Sequence, residues 1–222
     1  MMKPRTTSKA KTAAEQAEDR LVFDRPISLQ QYNATQKAWS ELEHIHANIN
    51  KAISTGGESP SDSAHKSSYH FRVRYHAALD GVREDIQHYR ISYNGDSYEL
   101  EDYDDYNDRH RVIKLTATKI RTGTVSLITE TVAYDDIGQR IPAETKTALP
   151  CTEYEVTESE RADAHQISLL LAFRLRIFRS EYNGERRAEY GGTTYRIGSV
   201  RYVNDCVDLY LGERIGDQSG TG

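Results

Sequence analysis

The sequence lacks long apolar runs, and only two of its 222 residues are cysteine. Its longest core-like run is Leu169–Phe173, whereas a membrane-spanning helix needs about 18 apolar residues, so we expect no membrane association. Cys151 and Cys206 lie at unrelated positions, which argues against a disulfide framework and fits a reducing cytosol. We also expect no secretory signal peptide, because Met1–Arg5 lacks the apolar segment of one.

The sequence also has no excess of basic residues. It contains 29 Lys and Arg against 34 Asp and Glu, which gives a formal net charge of -5. Because phosphate contacts require Lys and Arg, this balance argues against a dedicated nucleic-acid-binding protein. With 37% hydrophobic and 28% charged residues, the chain is typical of a globular protein with a thin core, which points to burial against neighbouring subunits.

Motifs of catalytic and phosphate-binding sites are missing, so we predict no enzymatic activity, cofactor or metal. The acidic stretch Glu99–Asp108, with His110 close by, has the carboxylates that calcium and magnesium prefer. Because it lacks the glycine-anchored loop of an EF-hand, we interpret it as a solvated loop between two strands. His44 and His46 share one side of a predicted strand, but no further ligand completes a zinc site, so we interpret them as surface residues.

What the sequence does contain is an internal repeat. Tyr93–Leu100 and Tyr190–Ile197 both have the pattern of a β-hairpin, and their turn glycines, Gly95 and Gly192, lie 97 positions apart. Further matches pair Pro26–Leu29 with Thr124–Leu127, His70–Tyr75 with Ala172–Ile177, and Ile113–Leu115 with Val207–Leu209, at offsets of 98, 102 and 94. Their common order indicates a tandem duplication of a domain of about a hundred residues.

The repeat predicts a mainly β protein with two tandem domains. We expect these domains at residues 21–121 and 122–216, each a small antiparallel β-barrel or sandwich, with a short helix in the second. Residues 1–20 have hardly any large apolar side chains and are predicted to be a flexible arm. Residues 217–222 are predicted to be a flexible C-terminus.

The two halves differ most in the connection that follows their second predicted strand, which is residues 56–68 in the first half. Trp39–Ile53 fits both a helical face and a strand, and its counterpart Leu149–Val156, which alternates and contains proline, favours the strand. The following Gly56–Ser68 is rich in turn formers and is predicted to be a flexible loop. In the second half, Thr157 and Glu160 form a capping box that predicts a short helix.

Two predicted strands alternate between apolar residues and arginines, so that the arginines share one face. The candidate interface residues are Arg72, Arg74, Arg174 and Arg176. They could pair with acidic patches on neighbouring subunits, and a solvent-facing sheet is an equally good interpretation.

A series of short motifs runs through the second half: Thr124–Thr131, Asp136–Pro142, Glu181–Glu185, Tyr190–Tyr195 and Asp208–Ile215. In this order they resemble the head-tail adaptor, or head-closure, proteins of long-tailed bacteriophages. The first half resembles the same family more loosely, through Trp39, Ala47–Ile49, Gly57–Glu58, Arg74–Tyr75 and Tyr93–Tyr98. Members of the family usually have one such domain per chain, so two in tandem would be a departure.

The resemblance implies a structural virion protein without enzymatic activity. It would form a ring of its own copies at the head-tail junction, or neck, after assembly in the host cytoplasm. The ring would seal the portal channel after DNA packaging, with the portal or portal-adaptor ring above it and the tail proteins attached below. Packaged DNA would pass without sequence-specific binding. Twelve chains would form a double-layered ring, and six chains would place twelve domains in one layer.

The predicted loop has an implied role of its own. It lies where the family has a connection near the channel. The candidate plug or partner-docking residues are therefore Gly56, Gly57, Glu58, Ser59 and Pro60.

Three alternatives stay open at this point. A tail-completion or tail-terminator ring protein fits the same setting. A metal-dependent DNA-processing enzyme, such as a nuclease, would use the residues between Glu99 and His110. A β-domain that binds partners without forming a ring would also fit the composition.

Overall fold

The computed structural model describes residues 20–51, 68–105, 109–134, 136–166 and 169–214. Within these residues the strands form one antiparallel sheet of eleven strands, so the prediction of a mainly β, barrel-like fold is confirmed. The strands are β1 (Arg25–Asn33), β2 (Ala38–Lys51), β3 (Ser68–Arg74), β4 (Tyr89–Tyr93), β5 (Asp96–Asp105), β6 (Val112–Tyr134), β7 (Arg140–Tyr154), β8 (Leu169–Phe178), β9 (Arg187–Tyr190), β10 (Thr193–Val203) and β11 (Cys206–Arg214).

The described connections contain short helices. They are α1 (Asp80–Glu84), α2 (Glu158–Gln166) and the 3-10 turns Ala77–Leu79, Ile86–His88 and Arg179–Glu181. Among the helices of the described residues, none has the length and apolar character to cross a membrane.

The sheet closes twice on one shared strand. β3 pairs with residues 112–118 of β6, so β1 to β6 form one closed barrel, which we call barrel 1. β9 pairs with residues 125–128 of the same strand, so β6 to β11 form a second closed barrel, barrel 2. β6 is 23 residues long and serves both barrels. Closure removes the free sheet edges wherever these ladders extend.

The two barrels have the same strand order. Around barrel 1 the neighbours are β1, β2, β3, β6, β5 and β4, and around barrel 2 they are β6, β7, β8, β11, β10 and β9. A bulge interrupts β5 at Glu101 and β10 at Gly198, which lie 97 positions apart, as the two turn glycines do. This correspondence supports a tandem duplication, which stays a prediction together with the proposed domain limits.

The strand register corrects one of the sequence matches. Phe71 pairs with Leu115 in barrel 1, and Leu175 pairs with Leu209 in barrel 2. Since Leu115 and Leu209 are matched at an offset of 94, β3 and β8 correspond at 104 and not at 102. The match was two residues out of register because apolar and polar residues alternate with a period of two in both strands.

Each barrel is filled by its own group of apolar side chains. Fully buried members are Leu29, Phe71, Ile91, Ile113 and Leu115 in barrel 1, and Leu127, Leu149, Leu175, Leu209 and Leu211 in barrel 2. β6 therefore contributes Leu115 to one core and Leu127 to the other, so that the two cores are joined through a single stretch of backbone.

Both predicted hairpin turns are present. The turn between β4 and β5 has positive φ angles at Asn94 (51°) and Gly95 (81°), and the turn between β9 and β10 has them at Gly191 (59°) and Gly192 (82°). Positive φ at both central residues is the geometry that matches the twist of two-residue hairpins.

The capping box is also confirmed. The backbone amide of Glu160 donates to Thr157 Oγ1 at 3.3 Å, and the amide of Thr157 donates to Glu160 Oε2 at 2.9 Å, at the start of α2. The segment from Trp39 forms strand β2, as its counterpart suggested, while its predicted end, Ile53, lies outside the described residues. The predicted flexible arm, apart from Arg20, the C-terminus and the loop before Ser68 lie outside them too.

Because β6 lines both cores, we expect the two barrels to unfold in one transition. Replacing Leu115 in barrel 1 or Leu209 in barrel 2 by Ala removes a buried side chain and leaves a cavity, so each change is expected to lower the free energy of unfolding by about 3 kcal/mol. Far-UV circular dichroism and the fluorescence of Trp39, the sole tryptophan, should then give the same lowered midpoint in both variants. Exposed Thr122→Ala is the control, with an expected change below about 0.5 kcal/mol. Two separate transitions would contradict this coupling.

Candidate assembly surfaces

The tip of the β1–β2 hairpin packs against the end of β8. The rings of Tyr32 and Phe178 stack with their centroids 4.0 Å apart, and Trp39 meets the Tyr32 ring edge-on at 5.6 Å. On barrel 1, His88 also stacks on Phe178, with 4.6 Å between centroids. Aromatic pairs of this geometry contribute beyond the area that they bury. The two barrels are therefore held by side-chain packing as well as by the shared strand.

A buried carboxylate completes this contact. Glu181 is almost fully buried, lies 2.7 Å from Lys37 Nζ and accepts a hydrogen bond from the Tyr32 hydroxyl at 3.3 Å. Burial, together with the charge and the hydrogen bond of Glu181, raises the pKa of Tyr32 to about 12. Tyr32 therefore remains protonated and keeps donating to Glu181 throughout the neutral pH range.

A second polar contact between the barrels is centred on Asp208 of β11. Its carboxylate is fully buried and accepts hydrogen bonds from Arg176 Nε at 2.6 Å and from Arg174 Nη2 at 2.7 Å. Arg176 Nη1 also donates to the hydroxyl of Tyr154 at 3.1 Å, and Tyr154 in turn donates to Glu99 of barrel 1. Burial alone would raise the pKa of Asp208, but the hydrogen bonds and charges of the two arginines lower it.

Two of the four candidate interface arginines thus have carboxylate partners within the chain. Arg174 and Arg176 have side chains only 17% and 19% exposed, so they do not face open solvent. Asp208 is the reason, because it lies directly opposite Arg176 in the β8–β11 ladder and so shares its face. In barrel 1, Arg74 is exposed and lies over the ring of Phe23 at 4.8 Å. The interface role of all four arginines stays a prediction.

Sequence reasoning missed Asp208. The only signal for a buried carboxylate was its position between two apolar residues of the alternating strand β11. This strand pairs with β8, whose arginines lie on the same face as Asp208.

The acidic stretch is not a loop in its first part. Residues 99–105 lie in β5, paired with β6, and only residues 106–108 fall outside the described residues. Two contacts accompany this pairing: Lys114 Nζ on β6 lies 2.8 Å from Asp104, and His110 Nδ1, just before β6, lies 2.9 Å from Asp105. The stretch lines an open cleft of about 540 Å³ beside α1. Within the described residues, no group of three or more His, Cys, Asp or Glu side chains is placed to hold a metal ion.

The two histidines of β2 are on the surface. His44 and His46 are exposed, and His44 Nε2 lies 2.8 Å from Glu41.

The β6–β7 hairpin projects from barrel 2 as an arm, defined here as residues 129–145. β9 leaves β6 after Ile128, and β8 pairs with β7 only at residues 152–154, so in the described chain the strands of the arm form ladder pairs only with each other. Val132, Ile137 and Ile141 are 57%, 78% and 45% exposed. A two-stranded ribbon is marginally stable alone in water, and exposed apolar side chains mark interaction sites. The arm is therefore a candidate assembly surface.

The base of the arm is acidic. Arg187 on β9 donates through Nη2 to Glu130 at 3.1 Å and also to Glu144. Two carboxylates share one guanidinium, so the base of the arm retains one negative charge.

Residues 12–120 match the family model described as phage head completion protein. The matched residues include β1 to β5 and β6 as far as Ile120, so the match falls on barrel 1. The second-half motifs described above lie outside it. No curated protein sequence matches the chain.

Asp208→Asn is expected to destabilise the protein most near neutral pH. The change removes the carboxylate from two largely buried guanidinium groups, so the free energy of unfolding should fall by about 3 kcal/mol. The folded-state pKa of Asp208 is lowered, so its contribution is present above the ordinary carboxyl pKa of about 4 and is lost as the pH falls through the folded value. Urea unfolding across this range should therefore show the wild type and the variant converging in acid.

The matched control for this change is Glu158→Gln, because the Glu158 side chain is 97% exposed. It should follow the wild type at every pH. A difference between wild type and Asp208→Asn that stays the same from neutral pH to acid would contradict the role assigned to this carboxylate.

Proposed function

From the match of residues 12–120 to the phage head completion protein family, we propose that the protein is a structural component of the phage neck that closes the filled head. The resemblance to head-closure proteins found in the sequence is confirmed over these residues. The family match is the observation that carries the proposal. Because head completion is a structural role, we further propose that the protein is not an enzyme.

In this role, copies of the chain form a ring between the portal or portal-adaptor ring and the tail. The exposed apolar side chains of the arm support ring formation, because a neighbouring subunit would cover them. A formal net charge of -5 supports a channel through which DNA passes without being held by many phosphate contacts. The candidate plug, Gly56–Pro60, remains part of the proposal.

Cryo-electron microscopy of virions, reconstructed without imposed symmetry, is expected to show both barrels of this chain between the portal and the tail. Particles assembled without the protein should have complete capsids that lose their DNA, because nothing closes the channel. Particles that lack a tail protein but contain this chain are the control and should retain DNA.

Two results would overturn this role. Absence of the chain from the neck of mature virions would exclude head closure. Filled heads that carry overlong tails, in particles without the protein, would replace it with the tail-terminator role.

Shortening the arm is expected to abolish assembly without unfolding the protein. Thr131 and Ala143 face each other in the ladder, so replacing residues 132–142 by Asn-Gly closes a two-residue turn and keeps the acidic base. Circular dichroism and the thermal midpoint should stay near wild type, while the variant should fail to enter virions. Asp205→Gly places the same Asn-Gly turn between β10 and β11 and is the matched control. Normal virion incorporation of the shortened chain would show that the arm is dispensable.

A further inference from the structure

The ends of β3 and β8 are equivalent positions in the two barrels. β3 ends at Arg74, after which the amide of Tyr75 donates to the Arg111 carbonyl at 3.0 Å. β8 ends at Phe178, after which the amide of Arg179 donates to the Asp205 carbonyl at 2.8 Å. The same backbone hydrogen bond thus follows each strand. Arg74 in barrel 1 therefore occupies the position that Phe178 occupies in barrel 2.

The β1–β2 hairpin of barrel 1 and the β6–β7 hairpin of barrel 2 are equivalent as well. Arg90 on β4 and Arg187 on β9 lie 97 positions apart, and each contacts the hairpin beside it. Arg90 lies over the Trp39 ring at 4.4 Å, whereas Arg187 binds Glu144.

The cross-strand pairs at these points also correspond. Tyr32 is opposite Trp39 in the β1–β2 ladder, and Glu130 is opposite Glu144 in the β6–β7 ladder. Arg90 is opposite Gln30, and Arg187 is opposite Ile128. In each hairpin the cross-strand pair lies two residues further along the first strand, at Tyr32 and at Glu130. The aromatic pair of the first hairpin is thus replaced by a carboxylate pair in the second.

The first contact joins the two barrels of one chain, whereas each of its two counterparts stays within its own barrel. The carboxylate pair of the arm binds Arg187, and Arg74 lies over Phe23. The aromatic pair of the first hairpin packs on Phe178 of barrel 2. The carboxylate pair of the arm and Arg74 of barrel 1 are the equivalent halves, and they carry opposite charges. Arg74 is exposed and forms no ion pair with any carboxylate of the described residues.

We propose that copies of this chain associate head to tail, with the carboxylates Glu130 and Glu144 of one copy against Arg74 of the next. The hairpin arm of barrel 2 would then contact barrel 1 of the next copy in the same way as the β1–β2 hairpin of barrel 1 contacts barrel 2 within one chain. This inference rests on the proposed function for its setting and adds the manner of association. Each assembly of joined copies then has a free arm at one end and a free barrel 1 at the other, so further copies add until the ring closes. Both barrels of a chain then lie in one layer of the ring.

The same arrangement would bury exposed apolar side chains of the arm, such as Val132, against the next copy. Val22 is 64% exposed at this end of barrel 1, where its carbonyl accepts a hydrogen bond from Asn48 Nδ2, and the adjacent Phe23 lies under Arg74. The arm extends six residues further along β6 than the β9 ladder does, a reach of about 20 Å at 3.3 Å per residue. Val132 of one copy is thereby directed to the surface around Val22 of the next.

Disulfide cross-linking of the full chain tests this contact. Glu130→Cys and Arg74→Cys are made as separate variants, mixed and oxidised. The native thiols interfere little, because burial raises the pKa of Cys151 to about 12 and that of Cys206 to about 11 and keeps both protonated. A covalent dimer should form at least about fivefold faster than in a mixture of Glu130→Cys with Glu158→Cys, since only proximity raises the effective concentration. A rate equal to that of the control mixture would overturn the proposal.

Charge exchange gives an independent test that does not depend on cysteine geometry. Glu130→Lys leaves Arg187 its other carboxylate, Glu144, and should weaken association about tenfold in sedimentation experiments, as should Arg74→Glu. A chain with both changes restores opposite charges at every contact and should associate as the wild type does. Failure of the double variant to recover, with both single variants weakened, would assign the charges to another contact.

The tests of association and of function can fail separately. A protein found in the neck without the 130–74 cross-link would retain the head-completion role and lose this mode of association. A specific cross-link in a protein absent from the neck would do the reverse.

Discussion

The continuous strand β6 is the constraint on which the rest of this structure depends. Its first part closes barrel 1 and its second part closes barrel 2, so a single run of backbone hydrogen bonds fixes how far apart the barrels lie. A paired strand does not bend as a flexible linker does, which makes the chain a rigid pair of barrels. The crossing point favours Gly123, because a Cβ there would lie 2.9 Å from the hydroxyl of Tyr190 and 3.0 Å from a carbon of its ring and would displace that side chain.

A shared strand alone would leave the barrels free to twist about its axis, and side-chain contacts between the barrels oppose this. The stacked rings of Tyr32 and Phe178 form one such contact, and the hydrogen bond from Tyr154 to Glu99 forms another. The Tyr154 contact also depends on Asp208, which positions Arg176 against the Tyr154 hydroxyl. The relative orientation of the barrels is thus set by packing and by buried polar groups together.

Local features of the fold could be predicted from the sequence because they depend on neighbouring residues. The turns at Gly95 and Gly192 and the capping box at Thr157 need only local backbone geometry. The shared strand could not be predicted in this way, because a run from Val112 to Tyr134 has no signal that separates one long strand from two short ones. The ion pairs of Asp208 were missed for a related reason, since they require the register between strands distant in the sequence, and apolar alternation leaves that register uncertain by two residues.

The difference between the two equivalent contacts has a physical reason. The contact of Tyr32 with Phe178 forms within one chain, so its aromatic surface is covered as soon as the chain folds. A contact between chains must first exist as two exposed surfaces, and exposed aromatic residues at both would promote aggregation before assembly. Charged side chains such as Glu130 and Arg74 remain soluble when exposed, and their attraction favours only the pairing in which opposite charges meet. Two barrels with the same strand order can therefore keep the same contact geometry while one contact is apolar and permanent and the other is charged and forms only on assembly.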